Sequence, residues 1–460
     1  MAKDTNLLES LKLFMDVEKG ERLITLMLFL WQFLFICSYY VLRPVRRGLF
    51  LDGLGNDWMP LVYIGTALVT GVVVWAYSKF KHHPRKILIS SVYGFFTVNL
   101  VLWWQIFQNP SPVAAGAFWV WLDVFSIMGV VLFWMYANDV FNSDRAKRLF
   151  GILAAGGGLG AVLGSTITAS LVKTIGSTNL LLVAAGLVGA TLAIFLGLEK
   201  ISQGLSAERK ASSSLKAVDT SSLSKVIKTI FSNKFLLMLT CLVTFERVAP
   251  DLVQFLYNDV LKHMASGSDA IAALDANLER WRAIAEFVVE MFFVSFILQK
   301  FGTKFALTSN ASVIFAGLIT YAIIPNPAVL IVVFHADEGC RHAWFKAAKE
   351  LLYTVTPREV LYSVKPVIEM FFYRFARGIA GVVIYIVNTL LGFGSAGVLA
   401  AGIVVAAAWF FCAMKLSGEY HRMEAELSKS PKHKKPDVKP GGNTGTPNES
   451  EKRELTAAAT

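Results

Sequence analysis

Apolar blocks of about twenty residues recur along the chain, and as a helix each is long enough to cross a hydrocarbon core of about 30 Å. Backbone polar groups inside a bilayer must find their partners within the segment, so the blocks are expected to be helices. Six run from Leu23 to Leu42, Met59 to Tyr77, Ile87 to Phe107, Val113 to Tyr136, Phe150 to Val172 and Leu180 to Leu198. Six more run from Phe235 to Leu256, Trp281 to Leu298, Phe305 to Ile324, Val329 to Leu352, Val367 to Val387 and Val398 to Met414. The expectation is an all-α polytopic membrane protein of twelve transmembrane helices, with bundles at 23–198 and 234–416. A Ser/Lys-rich linker over 199–233 separates them. Residues 1–22 read as an amphipathic segment, with Leu7, Leu8, Leu11, Phe14 and Met15 on one face, and 417–460 as a disordered basic tail.

Loop charge orients the spans. Lys79 to Lys86, Asp144 to Arg148, the linker, Lys300 with Lys304, and the tail fall on one side, whereas the loops around Asn109, Gly176, Pro325 and Gly392 are nearly uncharged. Both termini are therefore expected to be cytoplasmic. Hydrophobic residues make up 55% of the chain, and the net charge of +11 sits between the blocks and in the tail, which argues against nucleic-acid binding. Cys37, Cys241, Cys340 and Cys412 stand singly in apolar sequence, so neither a disulfide framework nor a metal site is expected. GILAAGGGLGAVLG (Gly151 to Gly164) lies inside a span with no preceding strand, and reads as a close helix–helix contact, not a phosphate loop. Lys262 to Arg280 reads as the one sizeable outer loop.

Charges inside the spans are the functional signal. An arginine at the centre of a membrane helix costs about 2.5–3.5 kcal/mol on insertion scales, so such residues usually line a pathway or a wet cavity. The eleventh span carries Glu369, Arg374 and Arg377, and Lys365, Glu369, Tyr373 and Arg377 recur at i, i+4 spacing. The halves also read as duplicated: FWMYANDVFNSDRAKRLF (Phe133 to Phe150) aligns without gaps with WFKAAKELLYTVTPREVL (Trp344 to Leu361), which matches Ala137 to Ala348 and Asp139 to Glu350. Parallel six-helix repeats with a site between them are the major-facilitator arrangement. The copies differ in their fourth spans, where Val124, Ser126, Ile127, Val130 and Val131 face His335, Asp337, Glu338, Arg341 and His342.

Four stretches resemble the nucleotide transporters of plastids and obligate intracellular bacteria, the ATP:ADP translocase type. They are YYVLRPVRR (Tyr39 to Arg47), FWMYANDVFNSDRAKR (Phe133 to Arg148), RHAWFKAAKELLY (Arg341 to Tyr353) and KPVIEMFFYRFARGIAG (Lys365 to Gly381). Tyr39, Leu42, Arg43, Ala137, Asn138, Lys147, Arg148, Lys349, Glu350, Tyr353, Lys365 and Arg374 match that family's residues, and Arg46, Arg341 and Arg377 stand where it has lysines. Arg47 and Lys346 replace aspartates, which makes the chain more cationic. Two further family acids fall near Asp123 and Glu246.

The resemblance implies a carrier that exchanges ATP against ADP, or a related pair, in a bacterial inner membrane. It would be a monomer with no cofactor, no catalytic residue and no enzymatic activity. A nucleoside triphosphate carries about four negative charges, and arginine's planar fork suits phosphate oxygens. The expected substrate residues are Arg43, Arg46, Tyr39, Asn138, Arg341, Lys349, Arg374 and Arg377, with Asp123, Glu246, Glu350, Lys365 and Glu369 gating or pairing with them. Duller roles stay open at this point: headgroup snorkelling for Arg43 and Arg46, a structural ion pair of Arg374 and Arg377 with Glu369, and cytoplasmic anchoring for Lys147, Arg148 and Arg358. A proton-coupled carrier of another organic anion, titrating at His335, Asp337 and Glu338, is the alternative.

Overall fold

The computed structural model describes residues 17–18, 20–80, 84–141, 143–209, 223–356 and 358–429. In the first half the helices are α1 (Arg22–Gly53), α2 (Met59–Phe80), α3 (Arg85–Ile106), α4 (Pro112–Val140), α5 (Ser143–Ile175) and α6 (Ser177–Arg209). A short α7 (Leu223–Ser232) then leads into α8 (Lys234–Met264), α9 (Ser268–Phe292) and α10 (Val294–Ile323). The fourth and fifth spans of the second half are broken. A π-helical turn at Arg341–Phe345 separates α11 (Pro327–Cys340) from α12 (Lys346–Leu352). A second, at Val367–Phe372, separates α13 (Arg358–Pro366) from α14 (Tyr373–Ile384), and α15 (Gly394–Lys429) closes the chain.

Local chemistry sets the ends. Ser111, Asn233 and Asn326 each accept a backbone N–H at the start of α4, α8 and α11, and Pro112 and Pro327 occupy first-turn positions where no N–H is needed. Gly176, at φ 82°, supplies the left-handed turn between α5 and α6.

All twelve expected blocks fall on helices. Among the described residues, eight helices are long and apolar enough to cross a membrane, or nine if α7 and α8, bent by 101°, form one span. The second and tenth expected spans lie on α2 and the interrupted α11–α12, whereas the eighth, Trp281 to Leu298, straddles the break at Phe293 between α9 and α10.

Three expected boundaries need correction. α6 continues to Arg209 and α7 occupies 223–232, so much of 199–233 is helical. α15 continues to Lys429, so 417–429 are helix and not tail: Leu416, Ser417 and Tyr420 are buried, and Arg422 bridges Glu419 and Glu426 one turn away on either side. Lys262 to Arg280 is no outer loop, because α9 starts at Ser268 and buries Asp275 and Glu279 completely. The rest of the expected tail, residues 430–460, and most of the amphipathic segment lie outside the described residues.

Each half has its own core. Trp31, Phe35, Tyr93, Phe125, Phe133 and Phe195 centre the first, and Leu239, Leu252, Ile314, Phe345 and Trp409 the second. Close backbone approach joins elements where glycine permits it. A Cβ on Gly160 of α5 would sit 2.3 Å from the Phe33 carbonyl of α1, as the glycine run predicts, and one on Gly48 of α1 would sit 2.2 Å from the Ser268 carbonyl of α9.

Polar ties between the halves cluster at the end away from the termini. Asn56 donates to the Phe255 carbonyl at 2.9 Å and to Asp259 at 2.6 Å, and Asp269 accepts from the Ser177 N–H at 2.7 Å. Near the termini, the ion pairs among the described residues run within one half, as in Arg145–Glu21 at 2.6 Å and Lys349–Glu246 at 2.9 Å.

Candidate functional site

The first helix of each half carries a proline in its interior, Pro44 in α1 and Pro250 in α8. A proline there removes one backbone hydrogen bond, and charged residues flank both breaks: Arg43, Arg46 and Arg47 around Pro44, Arg247 and Asp251 around Pro250. All of these side chains except Arg47 meet in a cavity of about 250 Å³ between the halves. The first half contributes Tyr39, Arg43 and Arg46 from α1, Thr66 and Thr70 from α2, and Asp123 and Ser126 from α4. Facing them are Arg247, Asp251 and Gln254 of α8, Phe334 and Glu338 of α11, Arg341 of the π turn, and Tyr373, Arg374 and Arg377 of α14. Six arginines thus line the cavity against three carboxylates.

Each of those acids is shared by two guanidiniums. Asp123 binds Arg46 at 2.8 Å and also Arg377, so it bridges the two halves. Asp251 holds Arg247 at 2.8 Å and Arg377 at 3.4 Å. Glu338 binds Arg43, and Arg282 of α9 lies 3.3 Å from its other oxygen. Ring faces fix two of the forks: Arg46 lies 4.1 Å above the Trp119 ring and Arg377 lies 5.0 Å above that of Tyr63. Arg374 lines the cavity and pairs with no carboxylate among the described residues.

Six of the eight expected substrate residues therefore converge: Tyr39, Arg43, Arg46, Arg341, Arg374 and Arg377. Arg43 and Arg46 are only 7% and 3% exposed, which removes the snorkelling alternative. Two do not join them. Asn138 is exposed near the end of α4, where it donates to the Trp134 carbonyl at 2.8 Å. Lys349 is buried elsewhere in the second half, between Glu246 at 2.9 Å and Glu369 at 3.2 Å. Of the expected gating residues only Asp123 lines the cavity. Glu246 and Glu369 are taken by Lys349, with Tyr353 donating to Glu369 at 2.8 Å, and Glu350 by Lys365. Glu369 consequently makes no ion pair with Arg374 or Arg377. Glu369 lies two helical turns from Arg377, about 12 Å along the axis, and Lys349 and Tyr353 already hold it.

Sequence reasoning missed Arg247 and Asp251 as cavity residues and placed Glu338 only in a titrating cluster. Their signal was the second internal proline. Behind the cavity lies a further buried network, Arg47 with Asp275 and Arg282 with Glu279 and Glu286.

Helices from two bundles enclosing one charged central cavity, with membrane-length apolar flanks, define a polytopic membrane carrier of major-facilitator-like fold. The TLC ATP/ADP transporter family model matches residues 117–420, and the chain belongs to that family. No curated protein matches it. Among solved structures it is similar to a point mutant of the nucleoside transporter NupG, with TM-score 0.59 and 15% identity over 87% of this chain and 99% of that one. It is also similar to a peptide transporter POT in complex with sulfate, with TM-score 0.59 and 14% identity over 90% and 98%. A bacterial homologue of the human lysosomal transporter Spinster gives TM-score 0.54 and 13% identity over 90% and 100%. At these identities the likeness is one of fold.

Proposed function

We propose that this carrier exchanges nucleotides, ATP against ADP or a related pair, by alternating access, with both termini in the cytoplasm of a bacterial cell. The observation that carries the reading is the surplus of guanidinium groups over carboxylates lining a cavity built by both halves, with Arg374 paired to no carboxylate among the described residues. A polyphosphate supplies the missing negative charge. Arg43 and Arg46 grip it from the first half; Arg247, Arg341, Arg374 and Arg377 grip it from the second. Tyr39, Tyr373 and Phe334 offer ring surfaces for the base.

The polar ties at the far end and the within-half ion pairs near the termini correspond to a state closed outward and open inward. Phosphate competes with Asp123 for Arg46 and Arg377, and this differential contact lets the ligand shift the populations of the two states. An empty cavity keeps unscreened positive charge, which slows return without cargo and favours exchange over one-way flow. Purified protein in liposomes tests this. Uptake of labelled ATP should require internal ADP and persist with uncouplers. Uptake that needs a pH gradient and no internal nucleotide would instead support a proton-coupled carrier of another anion.

A further inference from the structure

We propose that Glu279 of α9 and Glu338 of α11 form a proton-binding site whose occupancy is linked to anion binding at Arg43. The inference rests on the cavity taking a polyanion. Side-chain atoms of Glu279, Glu338 and His335 that are able to bind a cation lie within 4.8 Å of one another. The two acids also share the same two arginines. Arg43 binds Glu338 and lies 3.2 Å from Glu279, while Arg282 lies 2.7 Å from Glu279 and 3.3 Å from Glu338. Glu279 is fully buried, and among the described residues its Oε1 and the Oε2 of Glu338 accept no hydrogen bond.

The surroundings are short of positive charge. α1 presents Tyr40, Arg43 and Arg47; α8 presents Tyr257, which donates to Asp275 at 2.9 Å. α9 adds Asp275, Arg282 and Glu286, and α11 with its π turn adds His335, Asp337, Arg341 and His342, the last 3.4 Å from Glu286. α5, packed on the other side of α9, presents Gly158. Besides His335 and His342, the four guanidiniums Arg43, Arg47, Arg282 and Arg341 face the five carboxylates Asp275, Glu279, Glu286, Asp337 and Glu338.

Arg43 and Glu338 line the cavity, whereas Glu279 and Arg282 do not. A phosphate that draws Arg43 toward the cavity leaves Glu279 and Glu338 with Arg282 and with Arg47, which lies 3.9 Å from Glu279 and is already bound to Asp275. Three close carboxylates with two counter-charges then hold a proton between Glu279 and Glu338. A metal cation fits less well, since guanidinium groups already occupy two sides. In ATP–ADP exchange both directions carry the proton, so transport stays insensitive to uncouplers while binding depends on pH.

The test adds ATP, and in parallel inorganic pyrophosphate, to purified protein in weakly buffered detergent solution with EDTA. The pH change is compared between the native chain and Glu338→Gln, so that the ligand's own protons cancel. The native chain should take up about one more proton per ligand bound, and its affinity should fall about tenfold per pH unit above the titration point. Glu279→Gln, which leaves the cavity lining intact, should lose the same proton, and ligand-free thermal unfolding confirms that both variants fold. Equal proton counts in all three chains, or an uptake that appears only with added divalent cation, overturn the proposal. Binding of pyrophosphate with proton uptake but no binding of ATP overturns the nucleotide reading alone, and a chain that binds neither overturns both.

Discussion

Asp123 and Lys349 are each a buried charge held by two opposite ones, yet they do different work. Asp123 is an acid between Arg46 and Arg377, which belong to different halves. Lys349 is a base between Glu246 and Glu369, and all three belong to the second half. The first cluster leaves positive charge facing a cavity, whereas the second leaves none. Burying ions is costly whether or not they are paired, so such clusters persist where they do something that apolar side chains cannot. A cluster shared between halves is remade whenever the halves move or a ligand competes. One confined to a half moves with it and braces it.

The contrast is broken most directly at Arg377, which touches Asp123 and Asp251 and lines the cavity. Removing one member of a buried hydrogen-bonded charge pair costs about 2–5 kcal/mol in binding, or more than about thirtyfold. Arg377→Ala should therefore abolish nucleotide uptake in liposomes while the protein still inserts in membranes at the native level. Near-native uptake would remove the cavity from the mechanism.

Lys349→Met should do the reverse. It strands Glu246, which is 4% exposed, and breaking a buried pair from one side costs about 3–5 kcal/mol of stability. The expected result is a large drop in unfolding temperature, with ligand still able to stabilise whatever protein remains folded. Adding Glu246→Gln should restore much of the loss, because the stranded charge is then gone. A variant with native thermal stability but no ligand response would place Lys349 in the binding machinery after all.

Arg374→Gln sharpens the comparison from the cavity side. It breaks no carboxylate pair among the described residues, so unfolding without ligand should shift little, while affinity for a triphosphate falls about tenfold, the scale of one charge-assisted contact. The loss should shrink as salt is raised. Equal affinities at low salt would mean that Arg374 contacts no phosphate.

What could be read from the sequence follows the same division. The blocks were legible because hydropathy reports the lipid-facing surface, Arg374 and Arg377 because charge inside a span is conspicuous, and Arg43 and Arg46 because their stretch resembles the family's. Pairing is not visible in one dimension. Asp275 and Glu279 fall in the stretch read as an outer loop, although Arg47, Arg43 and Arg282 pair with them inside the bundle. The i, i+4 stripe from Lys365 to Arg377 assumed an unbroken α-helix, whereas a π turn interrupts it, and Lys365 pairs with Glu350 while Arg377 pairs with Asp123 and Asp251. Tyr420 and Arg422 sat in polar sequence that reads as a tail, yet one packs on the core and the other pairs along the helix.

Asn138 gives the smallest expected effect. It matches the family's residue in its stretch, but the structure places it, exposed, in the last turn of α4 and outside the cavity lining. Its amide donates to the carbonyl one turn back, a contact worth a few tenths of a kcal/mol at an exposed site. If its role is local, Asn138→Ala should change nucleotide affinity by less than about twofold and leave exchange intact, since the change at an exposed site is within about 0.5 kcal/mol. A loss of transport with unchanged affinity would instead mean that this end of α4 meets the second half when the carrier closes inward. Asn138 would then belong with the contacts that cross between the halves.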